Sequence, residues 1–522
     1  MLRQFVCPVA VVLIALAGIG GFLMTSEHSQ NAVAEKEVTL QADSQLESGA
    51  VVKEREQRLT DINLILASRV PQISERGLKQ APLEQAPWFN PALDSLYQQI
   101  RDQGLAIRFP HGNRNFAIWV GNPQTVVDGK KVFQHTEVLK KSIPLINQLP
   151  FPVKIWFYGT RDQSNPELGE CIEVLSGISN LNAVKFSYCR FNERGYTALR
   201  NLPELTDLEI LYSNLDDAGL EQITQNKKLR RLSINLGKKK ISSAALESVT
   251  QLPDLEDLKL IVSLEPDEIT RFWEKLTACT NLVDVEVNCG GMTQEMMIHF
   301  LKDGDRQKLR SWKIFTECPG KALANALSLA PNLEVLRASS GKAAEISYLL
   351  EQAVKNHPHM RELAIGWESG VHLQDDRARK ALSLLACFPN LERVHVPIVL
   401  PEPKALQPLT RLSQLQYFYC KDLNLNQETL LQLAQMPSLN KLQVDSLELG
   451  RESAHLLPWL TNVEQIEIND PTTLTDERLT LLATMPRLTK LKWCDIAIKG
   501  PVPLSEEARS AFQHIRFDVC EK

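Results

Sequence analysis

The chain lacks the compact motifs that announce common chemistries. It has no GxxxxGK followed by Ser or Thr, no GxGxxG after a strand, no GxSxG and no HExxH. The signatures of phosphate cradling, dinucleotide binding, activated-serine hydrolysis and zinc peptidases are therefore missing. Clustered basic charge is also missing. The formal net charge is −5 and the pI about 6.1, whereas nucleic-acid binding needs grouped Lys and Arg to displace counterions. The longest basic run, Lys238-Lys239-Lys240, reads as a solvated loop. Ten cysteines are present but no CxxC pair. Setting Cys7 aside leaves an odd number, and several fall where a small apolar side chain is wanted. They read as buried free thiols in packing positions.

What remains is the composition of a folded protein, 43% apolar, 23% charged and 6% aromatic. The N-terminus stands apart. Arg3 precedes an apolar run from Phe5 to Met24, and acids follow at Glu27, Glu35 and Glu37. About twenty helical residues cross a bilayer core of roughly 30 Å, and the charge bias sends the rest of the chain outward. Residues 1–24 are expected to be an uncleaved signal anchor or a cleaved signal peptide. Small-residue sites lie at Ala15-Leu16-Ala17 and Ala32-Val33-Ala34. Residues 25–50, polar and without periodicity, read as a flexible tether. Export follows from either reading of the leader, with a membrane link if it is uncleaved.

An internal repeat organises the rest. The pattern Leu-x-x-Leu-x-Leu begins at Leu181, Leu205, Leu229, Leu255, Leu282, Leu309, Leu333, Met360, Leu391, Leu415, Leu439, Val463 and Leu488. In Leu205-Thr-Asp-Leu208-Glu-Ile210 the period of two describes a short strand with one buried face. Asp216-Asp217 then supplies N-cap oxygens for a helix whose inward face is Leu220 and Ile223. One unit cannot bury these side chains alone, so neighbours stack and share a continuous core.

The unit resembles leucine-rich-repeat proteins of the ribonuclease-inhibitor-like class, on Asn214-Leu-Asp-Asp-Ala-Gly-Leu220 and Thr473-Leu-Thr-Asp-Glu-Arg-Leu479. The resemblance covers about residues 181–500. It implies an α/β fold: a right-handed solenoid, or horseshoe, with a parallel concave sheet and convex helices. Another repeat class carries an asparagine ladder nine positions into the unit. Here Cys189, Ser213, Gly237, Ser263, Leu423, Leu447 and Ile496 stand there instead, which favours helices on the convex side.

The flanks should cap the array, since a terminal unit exposes its core. An α+β N-terminal cap is expected over 51–150, the solenoid over 151–500 and a C-terminal cap over 501–522. In the first cap, Leu59, Ile62, Ile65 and Leu66 share a helix face. A second helix starts at Asn90-Pro91, turns Leu93, Leu96, Tyr97 and Ile100 inward, and stops at Gly104. Phe116–Val120 reads as a strand and Val126–Phe133 as a hairpin on Asp128-Gly129. Val153–Phe157, followed by Leu168 to Ile178, reads as an irregular first repeat. A short helix from Ser505 and a strand from Ile515 to Val519 close the chain.

Candidate chemistry is sparse. His357-Pro-His359 lies in a turn without further ligands nearby, so a loop is favoured over a metal site. Asp375-Asp376 reads as a helix start. His111–Asn115 is a polar loop, and Cys494 an outward thiol without a base. No catalytic residue, cofactor or metal is expected. If unit positions one, four and six point inward, positions three, five and seven line the concave face. Its early part is acidic in places, at Asp207, Glu209, Asp257, Asp284 and Glu286. Later units bring Phe315, Arg337, Arg393, His395, Tyr417 and Tyr419, with Trp367 at a strand end. This set is the expected partner-binding patch, because Trp, Tyr and Arg dominate binding hot spots. Cutting Trp367, Tyr417 and Tyr419 to Ala should abolish capture without lowering the melting temperature. The expected function is a non-catalytic scaffold for a protein partner. An inhibitor clasping a basic enzyme electrostatically is the alternative, and an enzyme within 51–150 a third. The partner's identity and the oligomeric state are left open.

Overall fold

The structure, a computed structural model, describes residues 91–108, 117–120, 124–127, 130–133, 135–159, 168–493 and 516–519. Within 168–493 it leaves out 289–292, 305, 318–319, 340–341, 367–371 and 471–474. The leader, the tether, the helix expected around 59–66, the 111–115 loop, Cys494 and the helix expected from Ser505 lie outside these residues.

Alternation builds the sheet. In the strand Asp207–Leu211, Leu208 and Ile210 are buried while Asp207, Glu209 and Leu211 stay half exposed. Its neighbours pair in parallel and in phase, so position four of one unit meets position four of the next. The row runs Ile118, Ile155, Val184, Leu208, Leu232, Leu258, Val285 and Trp312. It continues through Leu336, Leu363, Val394, Phe418, Leu442, Ile466 and Leu491 to Phe517. In-phase stacking makes each unit bury its neighbour's leucines, and the core extends along the whole array. The fold is a leucine-rich-repeat solenoid, α/β, with one open sheet of 17 strands among the described residues.

The sheet does not stop at residue 150. Ala117–Val120 pairs in parallel with Val153–Tyr158, and only Ala106–Arg108, at the outer end, runs antiparallel. Between the first two parallel strands lies the helix His135–Ile146, which repeat reading did not anticipate. Pro144 inside it and the pair Lys140-Lys141 hide its apolar face, yet Leu139 and Ile146 are fully buried. Other parts of the first cap form as expected. The helix Pro91–Asp102 turns Leu96, Tyr97 and Ile100 inward, and Gly104 takes φ +94° after it. The strands Gln124–Val127 and Lys130–Phe133 pair as the hairpin.

On the convex side the caps are systematic. Asn192, Asp216, Ser242, Thr293, Asn426 and Thr475 each accept a hydrogen bond from the backbone N–H three residues on. The helix Asp375–Leu385 begins where the acidic pair marks it. Two units depart from the α-helical expectation. Gln407–Arg411 and Arg451–Trp459 are 3-10 turns; Pro458, inside the second, has no N–H to give an α-helical ladder.

At position nine, a thiol and a hydroxyl replace the asparagine ladder. The Cys189 N–H donates to Ser213 Oγ at 3.0 Å, Ser213 Oγ donates to Leu211 O, and Cys189 Sγ donates to Ser187 O. Cys171, Cys189, Cys279 and Cys420 are buried free thiols and Cys387 an exposed one. Lys238-Lys239-Lys240 is not a loop. It belongs to the long strand Arg231–Lys240, which irregularly re-pairs at Lys240 with Ser263. Gly237, at φ +62° with its N–H on Asn235 Oδ1, makes the bend that allows this. Lys239 and Lys240 are nonetheless exposed, and Lys240 pairs with Glu265.

Candidate functional site

Outward positions three and five of adjacent units stand side by side on strands about 4.8 Å apart, so the sequence order of the units becomes a spatial row. In the first half of the row, opposite charges neutralise each other. Glu209 binds Lys185 at 2.8 Å and Lys154 at 3.5 Å, and Asp257 binds Arg231 at 2.7 Å. Lys313 reaches Asp284 at 3.3 Å and Glu286 at 3.7 Å, and Lys259 also pairs with Glu286. Burial raises the pKa of Asp207 and of Asp257. The acids that make the early units acidic in places are mostly held by cations on nearby strands.

The second half is built differently. Strand register sets Arg393 beside Tyr417 and His395 beside Tyr419, with Lys441 and Gln443 on the next strand. The His395 ring stacks on Tyr419 with centroids 3.9 Å apart and planes 10° from parallel. Tyr417 Oη donates to Gln443 Oε1 at 2.6 Å. With that proton committed, the Nδ1–H tautomer of His395 donates to Tyr417 Oη across 3.0 Å. Gln443 Nε2 passes on to Asn469 Oδ1 at 3.3 Å, and Asn469 Nδ2 donates to Asp445 Oδ1 at 2.7 Å. Tyr419 Oη also donates to Asp445 Oδ1, at 3.0 Å, tying the second tyrosine into the same network across four strands.

Two cations stand over this floor. The Arg393 guanidinium lies 4.8 Å from the Tyr417 ring centroid and Lys441 Nζ 5.2 Å from it. Each is also tied to a carboxylate shared with a second cation. Glu362 takes Arg393 at 3.5 Å together with Arg337, and Glu467 takes Lys441 and Lys492, both at 2.9 Å. Burial would raise the Glu467 pKa, but hydrogen bonds from the two lysines outweigh it and hold the carboxyl below its usual range. Burial, reinforced by Arg337, pushes His395 down to about 4. Burial likewise pushes both tyrosine hydroxyls above their usual range.

The structure therefore gathers Arg337, Arg393, His395, Tyr417 and Tyr419 into one connected group. Phe315 is in the strand Ser311–Glu317, but its side chain lies outside the described residues, as does all of Trp367. One expectation changes. Tyr417 and Tyr419 are only 7% and 6% exposed, so they form the floor and not the contact surface, and cutting them to Ala would lower stability. The groups left wet are the cations, Arg393 at 47% and Lys441 at 28% side-chain exposure. Repeat reading missed Gln443, Asp445, Asn469, Glu362 and Glu467 as members. The signal existed, since all but Asp445 and Asn469 fall at positions three or five, and those two at position seven.

A second aromatic row was also missed. Tyr158, Tyr188 and Tyr212 follow one another at strand ends, with centroids 5.8 and 5.2 Å apart. Tyr188 and Tyr212 adopt φ of 56° and 50°, a left-handed backbone that is uncommon for bulky residues. Trp156 joins edge-on to Tyr158 and donates its indole N–H to Ser187 Oγ. Both left-handed tyrosines sit at position eight of consecutive units, which the sequence shows once the phase is known.

His357 is a core residue. It is 1% exposed, its Nε2 faces Leu327 O at 3.0 Å, and burial lowers its pKa. Among the described residues no group of three or more His, Cys, Asp or Glu is placed to hold a metal ion. None of the described helices is long and apolar enough to cross a membrane.

No protein-family model matches the chain, and no curated protein matches it in sequence. Solved structures similar to it include an internalin, inlF, from Listeria monocytogenes, at 16% identity and TM-score 0.35, over 70% of this chain and 91% of that one. Another is the Rad7 and Elc1 complex of yeast, at 15% identity and TM-score 0.45, over 73% and 91%. A third is the plant peptide hormone receptor RGFR1 in complex with RGF2, at 11% identity and TM-score 0.30, over 71% and 65%. All three scores fall below 0.5, so the fold stands on the in-phase strand register of this chain itself.

Proposed function

We propose that this leucine-rich-repeat chain is a non-catalytic scaffold that binds a protein partner on the concave sheet face, over the strands from Val335–Ser339 to Lys490–Trp493. The observation that carries this reading is the floor of His395, Tyr417 and Tyr419, hydrogen-bonded across four strands beneath the half-exposed Arg393 and Lys441. A rigid, desolvated floor with wet, charged side chains above it lowers the ordering entropy a partner must overcome. The leader at 1–24 and the tether at 25–50 would deliver this module outside the cytoplasm, anchored if the leader is retained. The inhibitor reading draws less support, because the acids it would need are engaged in ion pairs along the first half of the sheet.

A photo-crosslinking residue at Lys492, compared with one at the exposed convex Trp459, tests the binding reading in cells. Adducts formed from Lys492 and not from Trp459 are expected; adducts from Trp459 alone would sink the concave assignment. Protease accessibility of intact cells, with N-terminal sequencing of the mature chain, tests export and leader cleavage separately.

A further inference from the structure

We infer that the second half of the concave face takes an acidic segment of its partner, with carboxylates seated at Arg393 and Lys441 above the Tyr417 ring. The inference rests on the concave-binding reading and adds the chemistry of the occupant.

The charge census supports it. At positions three and five of the units from Leu333 to Leu488 stand five cations, Arg337, Arg393, Lys441, Lys490 and Lys492, and two acids, Glu362 and Glu467. At the same positions of the units from Leu181 to Leu309 stand four cations and five acids. The chain as a whole carries −5, so the positive excess is local to the half that holds the aromatic floor. The ion pairs explain why it persists. Glu362 is shared between Arg337 and Arg393, and Glu467 between Lys441 and Lys492, so each group sets two cations against one carboxylate. Arg393 and Lys441 converge on Tyr417 from the strands on either side, each about 5 Å from its centroid. The ring restricts both heads without removing their outward hydrogen-bond donors. An arriving carboxylate finds two oriented cations over a low-dielectric surface, where such pairs act more strongly than in open water.

A nucleic acid fits less well. Its backbone needs a longer series of free cations, and here two carboxylates stand in the same row.

Fluorescence anisotropy of the full-length protein tests this. The probes are an eight-residue peptide alternating Glu and Gly, the matching Lys–Gly and Ser–Gly peptides, and an eight-nucleotide thymidine oligomer. The Glu peptide is expected to bind best. It should weaken at least about tenfold in the double variant Arg393→Gln/Lys441→Gln, in line with the loss of close charge pairs, and be unchanged in Lys259→Gln. The charge-reversed Arg393→Glu/Lys441→Glu should come to prefer the Lys peptide, provided its melting temperature is unaltered. Equal binding of Ser–Gly and Glu–Gly peptides, both reduced in the double variant, would overturn the acidic occupant and leave the concave reading standing. A thymidine oligomer bound as tightly as the Glu peptide would overturn it in favour of a general polyanion site. Glu-peptide binding untouched by either double variant, or no binding of any probe, would overturn the site itself.

Discussion

His395 should make the stability of this solenoid depend on pH in a window where few other groups contribute. Its imidazole stacks on Tyr419, meets Tyr417 Oη at 3.0 Å, and feels Arg337, Lys441 and Glu467. Burial, with the two cations adding to it and Glu467 opposing, lowers its pKa from 6.5 to about 4. The folded chain thus holds a neutral ring where the unfolded chain would take a proton. Stability from this residue is fully present above about pH 6.5. It falls as pH drops through the window to about 4, below which both states are protonated and the loss stops. The shift is worth up to about 3 kcal/mol, at 1.36 kcal/mol per pKa unit. The assay is urea unfolding of the native chain and of His395→Gln at several pH values across that window. Removing the ring has a packing cost that does not vary with pH. Buried His357 titrates in the same sense but is present in both proteins, so it cancels in the difference. The gap between the two proteins should therefore narrow, or reverse, as pH falls from 7 to 4.5. A gap that stays constant within about 0.5 kcal/mol, below the resolution of such differences, would show that the ring titrates normally and is not enclosed as described.

Three further outcomes follow from the same packing. Tyr419→Ala should lower stability by about 3–5 kcal/mol, whereas Tyr419→Phe, which leaves Asp445 its bond from Asn469, should cost about 1 kcal/mol; urea midpoints distinguish them. Arg306, 1% exposed, donates to the carbonyls of Phe300, Cys279 and Leu276 and stacks on Phe300 at 4.0 Å. Arg306→Met strands those carbonyls and should cost about 3–5 kcal/mol, measured in the same way. Burial pushes the Cys171 and Cys189 thiols up to about 12 and Cys279 to about 11, and it also raises Cys420. Iodoacetamide at pH 8, followed by peptide mapping, should therefore modify exposed Cys387 and spare these four until the chain is unfolded. Labelling of Cys189 in the native protein at the rate of Cys387 would contradict its place at position nine.

The repeat was legible because its signal is redundant. Three inward positions recur in every unit, and a capping residue such as Asp216 marks the helix start beside them. The inward positions identify the strand and the cap the helix that follows, and the agreement of both leaves little freedom in a unit's phase. Where one cue was overridden, reading faltered. The helix His135–Ile146 falls outside the repeat and holds Pro144, yet it buries Leu139 and Ile146. The three lysines argued for a loop, but strand pairing resumes at Lys240 once Gly237 has made its bend. The site was legible in membership and illegible in depth. Alternation says which face a side chain points to, but not how far its neighbours on adjacent strands lean across it. Tyr417 and Tyr419 point outward as expected, yet the flanking His395, Arg393, Lys441 and Asp445 enclose them.

That difference between face and depth alters what the aromatic residues are for. An exposed tyrosine contributes contact area directly, and its loss would weaken binding alone. A tyrosine under a guanidinium and an ammonium instead fixes where two positive charges stand. The first half of the sheet shows what the fold needs for stability, since alternating acids and bases at 4.8 Å spacing neutralise one another and require no aromatic floor. The second half holds two cations to each of Glu362 and Glu467, although a further acid would have been easy to place: a Glu in place of Gln465 would stand beside Lys441 on the neighbouring strand. Excess like charge is destabilising where it is close-packed, and the acidic partner proposed above would relieve it. Gln465→Glu, whose strand neighbours are Lys441 and Lys490, is the direct test. It should stabilise the free protein or leave it unchanged, and weaken capture of the acidic peptide, separating what the fold needs from what the binding face needs.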